Sequence, residues 1–208
     1  MMASPLIHIV DDDSSLRCAL ESLFRSVDLE ARSYESVSAF LTAPRSNQPG
    51  CLLLDVRLPG LGGLEFQSQL ASHGITLPVI MMTGHGDIPM SVRAMKAGAV
   101  DFLPKPFRDQ DLLDAVAVAL QRDQAQREER GDLDQVRERY ATLSPREQQV
   151  MGLVTAGRLN KQVAGDLGLS EITVKIHRGA AMRKMGARTL PDLVRMAESL
   201  KLTTNTKV

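Results

Sequence analysis

Residues 51–55 of the chain read CLLLD, an apolar run that ends on an acid. Similar short apolar runs lie at 6–10, 77–82 and 100–103, with a weaker amphipathic one near 29–34. Segments with a helical period separate them, near residues 14–26, 36–42, 63–72 and 88–97. Five short strands alternating with helices predict βαβ units and a parallel sheet covered on both faces. We therefore expect a five-stranded, parallel, doubly wound α/β domain.

The remainder of the chain is helical in pattern. Residues 108–139 begin with an amphipathic stretch and continue as QRDQAQREERGDLDQVRER, which is almost entirely polar. We interpret this segment as an extended linker helix and as a candidate for pairing with a second chain. We place the first domain at residues 1–122, the helical linker at 123–140 and a small all-α domain at 141–208.

Capping residues divide the last of these domains into four short helices. The residues expected to open the helices are Ser144, Asn160, Ser170 and Thr189. Asn160 would cap residues 161–167, which end at Gly168, and Ser170 would open the helix Glu171–Met185. Helix, short turn and helix is the arrangement that inserts a second helix into the DNA major groove.

Charge is unevenly distributed, although the formal net charge of the chain is +0. Residues 141–208 hold 11 Lys and Arg against 5 Asp and Glu, which suggests that this part meets a polyanion and the acidic remainder a cation. No apolar run reaches the ~20 residues of a membrane helix, and the N-terminal stretch ends in three acids, unlike a signal peptide. Two cysteines without metal-type spacing indicate a reduced, cytoplasmic protein.

Polar residues follow four of the predicted strands. In chain order they are Asp11, Asp12 and Asp13, then Asp55, Thr83 and Lys105. Ligands of open parallel sheets bind at the carboxyl ends of the strands, so we expect these side chains to converge. Close carboxylates repel one another, and an all-oxygen site with few protein groups suits Mg²⁺. With Mg²⁺ and Lys105 stabilising a transferring phosphoryl group, Asp55 would be the nucleophile and Thr83 a hydroxyl donor.

The motifs VDDD, LLLDVRLPG, MMTGHGD and FLPKPF resemble the receiver domain of bacterial response regulators, the CheY-like fold. The resemblance covers residues 5–122 and is strongest to the FixJ subfamily. It implies that Asp11 and Asp12 form the acidic pair, with Asp12 ligating Mg²⁺ directly. It also implies that Asp55 is the phosphoacceptor and a metal ligand, and that the Arg57 carbonyl is another ligand.

The same resemblance assigns the switch residues. Thr83 would be the switch hydroxyl and Lys105 the lysine that contacts the phosphate. The aromatic switch position falls on Phe102, which lacks the hydroxyl of a tyrosine, so it can report phosphorylation only through its burial. A cis Lys105–Pro106 bond is expected as a further family feature.

The third helix of the C-terminal domain has two distinct faces on a helical wheel. Val174, Ala181 and Met185 fall within about 40° of one another and form the core face. The opposite, exposed face carries Lys175, Ile176, Gly179 and Arg183. A protein-binding helical bundle would show the same wheel, so the wheel alone leaves that alternative open.

Residues 141–200 contain REQQV, AGRLNKQVAGDLGLS and TVKIH, and they are similar to the LuxR-type helix-turn-helix of the NarL/FixJ regulators. The resemblance places Lys175, Ile176 and Gly179 at base edges, although glycine has no side chain to read a base. Arg183 is a further candidate for base reading. The resemblance also implies phosphate contacts from Lys161, Thr173 and Lys184. It further implies that an apolar stripe of the last helix pairs two DNA-binding domains: Leu193, Val194, Ala197 and Leu200.

These observations predict a two-component response regulator rather than an enzyme. A histidine kinase would phosphorylate Asp55, and a homodimer would form through residues 90–97, the fifth strand and the start of the linker helix. The dimer would bind promoter DNA, with RNA polymerase as a further candidate partner. Two alternatives stay open: a phosphohydrolase that uses the pattern Asp11-x-Asp13, and a constitutive DNA-binding protein whose first domain merely dimerises.

Overall fold

The computed structural model describes residues 4–44, 46–84 and 88–202. The chain separates into two compact units, Met1–Gln126 and Arg127–Val208, and each is described by itself. The boundaries proposed at residues 122 and 140 stay predictions. Within the described ranges, no helix combines the length and the apolar character needed to cross a membrane.

The first unit alternates strands and helices as the apolar runs predict. Its elements are β1 (Leu6–Val10), α1 (Ser14–Ser26), β2 (Glu30–Tyr34), α2 (Val37–Thr42), β3 (Gly50–Asp55), α3 (Gly63–Gln69), β4 (Val79–Thr83), α4 (Ile88–Lys96), β5 (Asp101–Pro104) and the first part of α5 (Asp109–Ala141). The strands form one sheet in the order β2-β1-β3-β4-β5, and every neighbouring pair is parallel. The predicted five-stranded parallel sheet is confirmed.

Alternate side chains of the strands contribute to two separate apolar layers, one on each face of the sheet. Ile7 and Ile9 pack with Phe24 of α1 and Leu112 of α5 on one face. Leu52 and its strand neighbours pack with side chains of α2, α3 and α4 on the other face. Because both faces are covered, every residue of β1, β3 and β4 is buried. The helices thus leave the strand ends as the accessible edge of the sheet.

The second unit contains the end of α5 together with α6 (Pro145–Thr155), α7 (Asn160–Leu167), α8 (Glu171–Met185) and α9 (Leu190–Ser199). Ser144 forms the predicted capping box with Glu147, and Ser170 caps α8. Gly168 ends α7 with a left-handed φ of 65°, a conformation that glycine adopts without steric cost.

The predicted cap of α7 is wrong. Leu159 is the N-cap residue, and its backbone N–H donates to the Gln162 side chain at 2.9 Å. Asn160 is instead the first residue of the helix, and its side-chain carbonyl accepts from Arg178 of α8 at 3.4 Å. Gln162, three positions beyond the cap, thus satisfies the backbone N–H of the cap residue, and no side chain of the cap residue accepts from the first turn.

The expected pairing stripe on α9 is also wrong for two of its four residues. Leu193 and Ala197 are both 0% exposed and pack in the unit's own core with Met151 and Met185. A small helical domain needs the apolar face of its last helix to complete its core, so these side chains are unavailable to a second chain. Val194 is half-buried and stays at the surface.

Candidate functional site

Three predicted site residues meet at the carboxyl edge of the sheet. Asp11 follows β1, Asp55 ends β3, and Lys105 follows β5. The Lys105 ammonium donates to Asp11 Oδ2 at 2.6 Å and to Asp55 Oδ2 at 3.0 Å. These partners lie 94 and 50 positions from Lys105 in the sequence. The strand order therefore builds one pocket from three distant segments.

Burial governs the electrostatics of this pocket. Asp11 is 0% exposed and Asp55 is 6% exposed. Burial raises the pKa of Asp11, while hydrogen bonds from Lys105 and from the Asp13 backbone oppose that rise. Burial alone would lower the pKa of Lys105, but its hydrogen bonds to both aspartates outweigh burial, and the pKa is raised. The pocket thus holds a charged ammonium against the two carboxylates.

The acidic side chains have the spacing of a cation site. Asp11, Asp12 and Asp55 each offer one carboxylate oxygen, and these oxygens lie within 4.8 Å of one another. Asp12 is exposed, so one side of the cluster is open to water. Mg²⁺ prefers oxygen ligands and keeps several waters, and this donor set fits it. The Arg57 backbone N–H donates to Asp55 Oδ1 at 3.3 Å, and the role of the Arg57 carbonyl stays a prediction.

Arg17 makes two contacts that hold the acidic loop and that the sequence pattern did not reveal. Arg17 of α1 donates to the backbone carbonyls of Asp11 at 2.7 Å and Asp12 at 3.0 Å. Asp13 caps α1 by accepting from the backbone N–H of Ser15 at 2.8 Å. An arginine one turn into a helix that follows three acids was the available signal for the Arg17 contacts.

Gly63 is a further residue that the sequence analysis missed. A Cβ built on Gly63 would collide with the Asp55 carbonyl oxygen and lie 3.1 Å from the Val56 Cα. The Gly63 backbone N–H donates to the Val56 carbonyl at 3.0 Å. The start of α3 therefore supports the backbone of the candidate phosphoacceptor, and the paired glycines at 62 and 63 were the signal.

The candidate switch residues lie on the two strands at the end of the sheet. Thr83 ends β4, is 0% exposed, and accepts from the Lys105 backbone N–H through its own carbonyl at 2.7 Å. Phe102 of β5 is half-buried and packs against the apolar layer that includes Met90 of α4. The Lys105–Pro106 bond is cis, as predicted.

The second candidate site is the outer face of α8. Val174, Ala181 and Met185 are each 0% exposed, so the predicted core face is confirmed. Lys175 is exposed and Ile176 is 63% exposed on the other side of the helix. A large exposed apolar side chain beside a cation is suited to contact with base edges and thymine methyl groups. Two further residues of the predicted face are the exposed Arg183 and the half-buried Gly179.

The three candidate phosphate contacts lie in different environments. Lys161 is exposed at the start of α7. The Thr173 hydroxyl lies 2.8 Å from the Ser170 hydroxyl at the cap of α8. Lys184 donates to Glu147 at 2.7 Å and thus has a partner inside the domain. A contact between Lys184 and a DNA phosphate stays a prediction, and such a contact would compete with the ion pair to Glu147.

Two family models match the chain. The model of the response regulator receiver domain matches residues 7–117, and that of the luxR family of bacterial regulatory proteins matches residues 141–197. The parallel sheet, the acidic pocket and these matches define a response regulator, with a receiver followed by a LuxR-type DNA-binding domain.

Relatives and solved structures narrow the class. Nodulation protein W of Bradyrhizobium diazoefficiens is 54% identical over 200 residues, which are 96% of this chain and 88% of that protein. Transcriptional regulatory protein FixJ of Rhizobium meliloti is 41% identical over 196 residues, 94% of this chain and 96% of that protein. The structure of the response regulator StyR matches with a TM-score of 0.79 and 47% identity, covering 94% of this chain and 99% of that one. The chain belongs to the NarL/FixJ-type response regulators, two-component regulators of transcription, as its motifs indicated.

Proposed function

We propose that a histidine kinase phosphorylates this chain on Asp55 and that the phosphorylated chain dimerises and binds promoter DNA. The observation that carries the proposal is the buried contact of Lys105 with Asp11 and Asp55 beside the three-carboxylate cluster. A carboxylate nucleophile, a fixed cation and a candidate Mg²⁺ site are the parts that phosphoryl transfer to aspartate requires.

Each residue of the pocket would have a separate role in the transfer of the phosphoryl group. An Asp55 carboxylate oxygen attacks the phosphorus of a phosphohistidine, the bond from phosphorus to the histidine nitrogen breaks, and an acyl phosphate forms. Asp11, Asp12, Asp55 and the Arg57 carbonyl would hold Mg²⁺, which when bound neutralises charge on the phosphoryl oxygens. Lys105 supplies a second positive charge from a fixed position. The Thr83 hydroxyl would donate to a phosphoryl oxygen.

A groove beside the pocket suits the kinase as a partner. It is lined mainly by apolar side chains of α1 and of the segment after β5, including Leu16, Leu20, Leu23, Pro106 and Phe107, and it reaches Lys105. A partner that seated a helix against these residues would bring its phosphohistidine to the mouth of the pocket.

An exposed apolar face on the same unit supports dimerisation. Ile88, Val92 and Met95 of α4 are 80%, 44% and 47% exposed and lie at the i, i+4, i+7 spacing of one helix face. Large apolar side chains grouped on a surface are typical of protein interfaces. In the proposed mechanism, Thr83 moves toward the phosphoryl group, Phe102 repacks against the layer beneath α4, and this face changes its affinity for a second copy.

Replacing Asp55 by Asn tests the phosphoacceptor. The wild-type chain should take up one labelled phosphoryl group from acetyl phosphate and Mg²⁺ and should sediment as a dimer, whereas Asp55→Asn should do neither. Asp28→Asn, the same change at an exposed position between α1 and β2, should behave like wild type. Normal labelling of Asp55→Asn would overturn the site assignment, and sustained release of phosphate would favour the hydrolase alternative.

The DNA half of the proposal rests on the exposed face of α8. Replacing Lys175 or Ile176 by Ala should weaken specific DNA binding by roughly 1–3 kcal/mol if these side chains read bases. Unchanged binding by both variants would argue against α8 as the recognition helix. Binding by wild type that ignores acetyl phosphate would favour the constitutive alternative. RNA polymerase as a partner stays a prediction.

A further inference from the structure

The last turns of α5 belong to the core of the DNA-binding unit. Val136 and Tyr140 pack against the apolar cluster that contains Leu143 and Met185. These two side chains precede residue 141, where the match to the luxR-family model begins. The DNA-binding unit of this chain therefore includes a helical segment beyond the family domain, and that segment contacts α8.

Arg139, in the same last turns of α5, makes a polar contact with the end of α8. Its Nη1 donates to the carbonyl oxygen of Met185, the last residue of α8, at 3.2 Å. Carbonyls in the last turn of a helix lack partners within the helix, and a cation there also interacts favourably with the helix dipole. Gly186 leaves room for this contact, because a Cβ at Gly186 would lie 2.9 Å from Arg139 Nη1.

A second contact fixes the same end of α8. Lys184 donates to the Thr142 carbonyl at 3.2 Å and to Glu147 of α6 at 2.7 Å. Thr142 follows the last residue of α5 directly. Arg139 of α5 and Lys184 of α8 thus both connect the C-terminal end of α8 to the region where α5 ends and α6 begins.

We propose that Arg139 is a positioning residue for DNA recognition, which fixes the orientation of α8 relative to the end of the linker helix. The inference rests on the proposed role of α8 as the recognition helix. Lys175 and Ile176 project from α8, so a small rotation about its fixed end would move both away from the base edges. Arg139 is itself exposed, and an exposed polar contact contributes little to folding stability.

The test compares full-length variants on two DNA duplexes in the presence of acetyl phosphate and Mg²⁺. One duplex is the sequence that the wild-type chain enriches from a random library, and the other is a shuffled version of it. Arg139→Ala should lose about three- to fivefold in affinity for the enriched duplex, a range set by the small energy of one exposed polar contact, with little change on the shuffled duplex. The slope of log affinity against log salt should stay at the wild-type value, since no phosphate contact is removed.

Controls separate positioning from other roles. Arg137→Ala removes an exposed arginine of the same helix, paired with Asp134 at 3.0 Å, and should bind like wild type. Arg139→Lys, which restores a cation to the carbonyl, should recover most of the affinity, and the midpoint of thermal unfolding should be similar in all variants. Wild-type affinity in Arg139→Ala, or a salt slope reduced by about one, would overturn the inference. If Lys175→Ala and Ile176→Ala also bind like wild type, the assignment of α8 fails instead.

Discussion

The acidic pocket of the receiver and the outer face of α8 are built in opposite ways. The pocket joins the ends of β1, β3 and β5, and its Lys105 reaches a partner 94 positions away. The outer face of α8 occupies residues 175–183 of one helix. The pocket therefore depends on the whole sheet, whereas the face depends on one helix and on how that helix is held.

Burial is the second difference between these two regions. Asp11 and Asp55 are buried beside Lys105, where a charge left without its partner is costly. The side chains of Lys175 and Ile176 lie in water, where each can be removed with little effect on folding and where charge is screened by salt. Substitutions should therefore disturb chemistry and folding together in the pocket, and affinity alone on the face.

Among changes that leave the phosphoacceptor in place, the largest effect is expected from replacing Lys105 by Met. Phosphorylation by acetyl phosphate should slow by about 100-fold, because a fixed cation that stabilises the transferring group is lost. Lys96→Met, the same change at an exposed position of α4, should label at the wild-type rate. Labelling is followed by phosphate incorporation over time.

Magnesium affinity distinguishes the role of Lys105 from general damage to the pocket. Calorimetric titration of Lys105→Met should show Mg²⁺ binding at least as tight as in wild type, because the carboxylates have lost a competing cation. Parallel loss of labelling and of Mg²⁺ binding would indicate that the pocket itself has collapsed.

Replacing Gly63 by Ala should have the next largest effect. The new Cβ meets the Asp55 carbonyl, a backbone atom that cannot move aside alone, so the free energy of unfolding should fall by about 2–3 kcal/mol. The chain has two tyrosines and no tryptophan, so a Tyr140→Phe background leaves Tyr34 as a fluorescent reporter of the receiver. Gly62→Ala is the matched control, since its Cβ would make an ordinary 3.6 Å contact with the Val56 carbonyl. Equal stability of the two variants would show that α3 does not support the phosphoacceptor.

The sequence predicts the pocket well because two simple rules act together. Apolar runs of strand length locate β1, β3 and β4, and parallel strands bring their carboxyl ends to the same edge. An acid directly after such a run, such as Asp55, is therefore placed in space by its position in the chain. The core face of α8 is predictable for a similar reason, since helical periodicity identifies Val174 and Met185.

The sequence fails where a contact is made with the backbone or where a stripe has more than one possible partner. Arg17 binds carbonyl oxygens, and backbone carbonyls leave no pattern in a sequence. The apolar stripe of α9 is visible on a wheel, but the wheel does not say whether Leu193 faces its own core or a second chain. Lys184 likewise has the residue type of a phosphate contact, and the ion pair with Glu147 becomes visible only when α6 and α8 are packed together.

Burial of His8 should make the folding stability of the receiver depend on pH. Burial, and secondarily the charge of Arg32, lowers the pKa of His8 from 6.5 to about 4. Below pH 6.5 the unfolded chain binds a proton that the folded receiver does not, so stability should fall as the pH drops from 6.5 toward about 4. In the Tyr140→Phe background, His8→Phe keeps an aromatic ring beside Phe40 and should reduce this loss by at most about 1 kcal/mol per pH unit. Identical pH dependence in urea unfolding of the two proteins would contradict the assignment to His8.

The smallest effect concerns two lysines of the DNA-binding unit that the resemblance treats alike. Lys161 is exposed, and its replacement by Ala should reduce the slope of log affinity against log salt by about one, as expected for one lost phosphate contact. Lys184 holds Glu147, whose pKa is lowered first by this hydrogen bond and then by that from the Ser144 backbone. Lys184→Ala should therefore weaken binding through the orientation of α8 while leaving the salt slope unchanged. If both variants lower the slope equally, Lys184 must leave Glu147 and contact a DNA phosphate when DNA binds. The same lysine would then stabilise the packing of α6 and α8 in the free domain and bind phosphate in the complex.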